Sequence, residues 1–95
     1  MEISSSSNII TITGNIKSVG DFQSIKTTVD SLKSSNQTIF IEIKDSISIT
    51  SSVIGYFNKL VLKDNIDVNM KVGDSQLMEL LDDLNLKSVF KVTAS

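Results

Sequence analysis

Ile10 and Ile12 alternate with Thr11 and Thr13 just before Gly14-Asn15, and Ile3 stands upstream in a serine run with a turn signal at Ser7-Asn8. A period of two places alternate side chains on opposite faces of a strand, so residues 1–16 are expected to form an N-terminal hairpin. After Gly20 the period changes. Phe22, Ile25, Val29 and Leu32 recur every three or four positions, which predicts an amphipathic helix with Asp21 placed to cap its first turn and an end near Ser34-Ser35-Asn36. Thr38 to Lys44 returns to alternation, with Ile39, Ile41 and Ile43 on one face and Phe40, Glu42 and Lys44 on the other.

The same two periods repeat to the end of the chain. Val53, Ile54, Phe57, Leu60 and Val61 have helical spacing and follow Thr50-Ser51-Ser52, so a second helix is expected to start at the serine pair. Ile66, Val68, Met70 and Val72 alternate with Asp67, Asn69 and Lys71 in a further strand. Asp74 then caps a helix through Leu77, Leu80, Leu81 and Leu84 that closes around Asn85. Leu86, Val89, Phe90 and Val92 supply one more helical turn or an edge strand.

Two strands followed by helix, strand, helix, strand and helix imply parallel strands joined by right-handed crossovers. A parallel strand covered on both faces is apolar throughout, whereas these alternate, so the helices are expected on one face only. The fold predicted is a two-layer α/β domain over residues 1–95, with a mixed four- to five-stranded sheet and three to four helices. About twenty buried Ile, Leu, Val and Phe side chains, at roughly 1.5–3 kcal/mol each, would then oppose chain entropy.

Composition narrows what such a domain can do. The 95 residues include no histidine, cysteine, proline or tryptophan, and the nine cations are all lysines scattered against eleven acids. Without cysteine there is no thiolate nucleophile or sulfur-ligated metal, and without histidine no Ser-His-Asp triad or proton shuttle near neutral pH. Enzymatic activity, a cofactor and a metal site are therefore not expected. A net charge of −2 without a basic patch argues against nucleic acid. The longest apolar-leaning stretch, Val53 to Leu62, is far short of the roughly 20 residues that cross a bilayer, and no leader pattern is read at the start. The expectation is a cytoplasmic protein that does not insert into membranes.

In open α/β sheets, function gathers at the carboxyl ends of the parallel strands. The loop at that end, Asp45 to Ser52, delivers two hydroxyls to a helix N-terminus, with Gly55 a turn later. Unpaired N–H groups and the helix dipole favour an anion there, and a phosphoryl group on Ser51 or Ser52 would add about −1.5 to −2 charges.

The stretch I-F-I-E-I-K-D-S-I-S-I-T-S-S-V-I-G-Y-F resembles the central strand, loop and helix start of STAS domains, the anti-sigma-factor antagonist family, in which D-x-S precedes D-S-S-G. The ending L-N-L-K-S-V-F-K-V is similar to the family's L-x-L-x-x-x-F closing pattern, and the resemblance runs from about Ile9 to Val92. It implies a non-enzymatic module that binds a serine kinase and anti-sigma factor through the loop and helix at the serine pair. Phosphorylation of the first serine releases that partner, and a phosphatase restores the complex. By position, the phosphoacceptor falls on Ser51, with Ser52 as the alternative. Asp45, Thr50, Ser51, Ser52, Val53, Gly55 and Tyr56 are the partner-binding residues. Two positions depart from the pattern: Thr50 stands where an acid is usual, and Val53 where glycine is frequent.

Plainer readings of these residues stay open beside that one. Ser51 and Ser52 serve equally as helix caps, Asp45 as a turn residue, and Asp82-Asp83 as a solvated acidic pair. Gly55 points to close backbone approach by a strand or a partner. Tyr56 and Phe40 fall off the predicted core faces. The alternative function is a constitutive STAS accessory subunit of a larger complex, for example in lipid transport, with Ser51 only a cap. A small-ligand or nucleotide pocket at the strand ends is weakened by the lack of a Gly-rich phosphate loop.

Overall fold

A computed structural model describes all residues, 1–95. Alternating segments form strands and the segments of helical period form helices, in the order β1 (Glu2–Ser6), β2 (Ile9–Thr13), α1 (Val19–Lys33), β3 (Thr38–Ile43), α2 (Ser51–Leu62), β4 (Asp67–Val72), α3 (Ser75–Asp83) and β5 (Thr93–Ala94). The five strands lie in sequence order, β1-β2-β3-β4-β5. β1 is antiparallel to β2, and every other neighbouring pair is parallel. The hairpin turns at Ser7 and Asn8, with Ser7 in the left-handed region (φ 58°). The serine run Ser4-Ser5-Ser6 is thus a strand and not a tail.

One sheet face carries the core. Ile10, Ile12, Ile39, Ile41, Ile43, Val68, Met70 and Val72 are buried beneath the helices, while Ile9, Phe40 and Lys71 on the other face are exposed. The helices contribute Ile25 and Val29, then Val53, Phe57 and Leu60, then Leu77 and Leu81. Phe90 comes from the turns after α3 and meets Phe57 edge to face, with ring centroids 6.0 Å apart. The architecture is the two-layer α/β fold expected, with five strands and three helices. No helix is long and apolar enough to cross a membrane.

Local chemistry sets the helix starts. Ser18, not Asp21, caps α1. Its hydroxyl accepts from the Asp21 N–H, while the Asp21 carboxylate accepts from the Ser18 and Lys17 N–H groups, so Asp21 is the third residue of a capping box. Asp74 caps α3, accepting from the Gln76 and Leu77 N–H groups. Leu86 to Val92, expected as a helical turn or an edge strand, is instead a run of turns, and the edge strand β5 follows it at Thr93–Ala94.

α1 and α2 are tied by a polar network as well as by packing. The Tyr56 hydroxyl donates to Asp30, whose carboxylate also meets Lys26 at 3.1 Å and Lys33 at 3.3 Å, and Lys33 reaches on to Asp64 at 3.1 Å. Partial burial alone would raise the Asp30 pKa, but the hydrogen bonds from Tyr56, Lys26 and Lys33 outweigh it and hold the carboxyl at about 2. Burial first, and then the Asp30 carboxylate, push the Tyr56 hydroxyl up, so it stays a donor. The folded carboxyl titrates below an unfolded aspartate, so this stabilisation is complete above about pH 4 and is lost as pH falls toward about 2. Asp30→Asn is therefore expected to remove on the order of 1 kcal/mol of acid sensitivity across that window, allowing for solvent screening of a partly exposed group. Urea unfolding at the two ends of the window measures it, and an unchanged acid slope would remove Asp30 as the source.

Candidate functional site

The parallel strands β2 and β3 end side by side, and the two loops that leave them are pinned together. The Gly14 N–H donates to the Asp45 carboxylate at 2.7 Å and the Ile47 N–H to the Asn15 side chain at 3.0 Å. Between these, the Ser46 hydroxyl accepts from the Ile16 N–H at 3.0 Å and donates to the Ser48 carbonyl at 2.6 Å. Ser46 is completely buried, the single polar residue among the buried ones. A buried hydroxyl is tolerated when it both donates and accepts, and here it fixes the course of the loop that delivers the serine pair. Asp45 has a structural task as well, closing the loop onto Gly14.

α2 begins where the loop is released. Thr50 is its cap, with the side-chain oxygen accepting from the Val53 N–H at 3.3 Å. Ser51 and Ser52 are the first two residues of the helix and both are exposed. The capping role considered for the serines belongs to their neighbour, so neither hydroxyl is needed to start the helix. No acidic side chain occupies the first turn. The positive end of the helix dipole is therefore not offset by a carboxylate on its own turn. Ser52 and Thr50 share a groove with Lys17, Ser18, Val19, Phe22 and Gln23 at the start of α1.

Two residues expected to touch a partner lie differently. Val53 is fully buried and Tyr56 is 6% exposed. Val53 packs in the core, and Tyr56 reaches across to α1, where it packs edge to face on Phe22 and bonds Asp30. Tyr56 is thus a core residue with a polar tip, which corrects the expectation that it falls off the core face. Phe40 does lie outside the core, 43% exposed on the uncovered sheet face.

Gly55 is also corrected in part. A Cβ built there meets nothing within 4 Å, so no strand approaches it. It leaves an open, side-chain-free patch one turn beyond Ser51. Gly55→Ala is expected to stabilise the isolated chain by about 0.8–1 kcal/mol, the helix-propensity difference. A raised melting temperature would bear this out, and a lowered one would show that the patch is not open.

Sequence reasoning missed Ser46, Asn15 and two exposed apolar side chains at this end, Val19 at 78% and Ile47 at 50%. Ser18-Val19-Gly20-Asp21 carries the [ST]-x-x-[DE] capping signature, which would have moved the helix start back and put Val19 on its exposed first turn. Nothing in the local sequence marks Ser46 among so many serines.

No protein-family model matches the chain, and no curated protein matches it. A solved protein shares its fold. The NMR structure of the protein TM1081 superposes with a TM-score of 0.67 over 98% of this chain and 79% of that one, at 16% sequence identity. At that identity the likeness is of fold alone, and it agrees with the two-layer α/β architecture built above.

Proposed function

We propose that the chain is a non-enzymatic protein-interaction module resembling the STAS-type anti-sigma-factor antagonists. In this reading it works in the cytoplasm and binds a kinase or anti-sigma partner through the start of α2, with Ser51 as the phosphoacceptor that releases the partner and a phosphatase that resets it. The observation that supports this reading is the division of labour at the helix start. Thr50 supplies the cap, which leaves Ser51 exposed and structurally dispensable on the first turn of a helix that follows a pinned loop. The sequence resemblance singles out the same serine.

The physics of release is local. A neutral hydroxyl enters a protein interface at small cost once hydrogen-bonded, whereas a phosphate pressed against an unmatched surface loses hydration worth several kcal/mol. In the free chain the same phosphate sits favourably at the positive end of α2. The modification thus favours the free form and penalises the complex.

Chain purified from its native cells is expected to carry a phosphoryl group on Ser51, located by mass spectrometry. Ser51→Asp is expected to bind the co-purifying partner at least tenfold more weakly than Ser51→Ala, a difference of about 1.4 kcal/mol. An unmodified Ser51, together with equal affinities for the two variants, would overturn the switch and leave the constitutive accessory subunit in its place.

A further inference from the structure

β1 is the outer strand of the sheet, and its main-chain groups divide cleanly between the two sides. The Asn8 and Ile12 carbonyls accept from Phe40 and Lys44, so this alternate set of β2 residues bonds toward β3. Ile9, Thr11 and Thr13 consequently bond toward β1, where their register partners are Ser6, Ser4 and Glu2. That leaves Ile3 and Ser5 with N–H and C=O groups directed away from the sheet.

Natural sheets guard such an edge with lysine, proline or a bulge. Here the chain has no proline, and β1 carries a single charge, Glu2. The helix surface beside it is equally bare: Ile3 lines a shallow hollow with Gln23, Ser24, Thr27 and Thr28 of α1, none of them charged. The opposite edge differs. β5 has only two residues, and Lys91 pairs with Asp67 nearby.

We propose that β1 is a dimerisation edge, pairing antiparallel with β1 of a second copy of this chain in a register centred on Ser4. In that register Ile3 of each copy faces Ser5 of the other, so the outward main-chain groups meet as hydrogen-bonded pairs. Ser4 faces Ser4, and Glu2 faces Ser6 and not its own counterpart. A strand paired with itself is two-fold symmetric, so the contact closes after two copies and joins their sheets into one. Attachment of β1 to the short β5 edge of another copy would be heterologous and would offer few bonds. The occupant favoured is therefore a second copy, since the edge is long enough, uncharged at its centre and self-complementary in register. This surface is separate from the start of α2 and does not depend on the reading given for Ser51.

Sedimentation or light scattering is expected to give twice the chain mass for wild type at high concentration. The Ser4 side chain is exposed, so charge can be introduced there without touching the core. Ser4→Lys and Ser4→Glu, each opposed to itself at the centre of the contact, are expected to be monomeric alone, and an equimolar mixture is expected to recover the dimer. Because the chain has no cysteine, Ser4→Cys gives a direct test of register. It is expected to oxidise to a linked dimer, while Ser6→Cys, displaced from the two-fold axis, is not. A wild type that stays monomeric at millimolar concentration, or Ser4→Lys and Ser4→Glu variants that dimerise as well as wild type, would overturn the proposal.

Discussion

Replacing Gly73 by alanine is expected to destabilise the chain by about 3 kcal/mol, at the upper end of the usual cost of overpacking. Gly73 follows β4, and its N–H donates to the Ile43 carbonyl at 2.9 Å. A Cβ at this position would lie 2.2 Å from the Lys44 carbonyl oxygen and 3.1 Å from the Lys44 carbonyl carbon. Both obstacles are backbone, so rotating a side chain relieves neither. The strand end must move instead, and Lys44 leads directly into the pinned loop at Asp45 and Ser46. For a domain of this size the expected loss corresponds to roughly 12–24 °C in melting temperature. Calorimetry measures it, and a melting temperature within a few degrees of wild type would show that the β4–α3 connection can shift freely. The same substitution at Gly55 carries the opposite expected sign, because there the added methyl meets open space.

The architecture was legible because one-sided burial writes a period into the chain. Ile39, Ile41 and Ile43 against Phe40, Glu42 and Lys44 distinguish a covered face from an open one, and the expected faces match the observed burial. Asp74 as the cap of α3 was equally clear, since capping depends on residues only a few positions apart. The two glycines were not separable. The close backbone approach expected at Gly55 belongs to Gly73, where the obstacle, Lys44, lies just past β3 and about thirty positions earlier in the chain.

The candidate site was legible only in outline. Its place at the helix start after β3 follows from the strand–loop–helix order, and the serine pair marks it. Val53 lies in the core stripe that the helical period predicts, and only the resemblance places it against a partner, whereas Tyr56 is expected off the core face and is buried. Helical period identifies one face of α2, but a second layer of contact with α1 buries a flank that period alone leaves open. Tyr56 shows this most plainly, since the partner of its hydroxyl, Asp30, lies on a different helix.

Ser46→Ala is expected to cost about 2–3 kcal/mol and to loosen the delivery of the serine pair. The substitution removes a donor and an acceptor together, stranding the buried Ile16 N–H and the Ser48 carbonyl that the hydroxyl satisfies. Leaving a buried group unpaired costs about 1–3 kcal/mol, far more than the methyl-sized change in packing. Ser48→Ala is the control. That residue is exposed and lends only its carbonyl, so its side chain is expected to matter by less than about 0.5 kcal/mol. Amide hydrogen exchange separates local from global effects. Ile16 is expected to lose protection in Ser46→Ala under conditions where Ile41, in the centre of β3, keeps it. Unchanged protection at Ile16 would mean that another acceptor or a water takes over the hydroxyl's role, and that the loop leading to Ser51 owes its position to Asp45 and Asn15 alone. Under the reading proposed for Ser51, loss of that protection is also expected to weaken partner binding in Ser46→Ala, because the buried hydroxyl helps to fix the loop that leads into the start of α2.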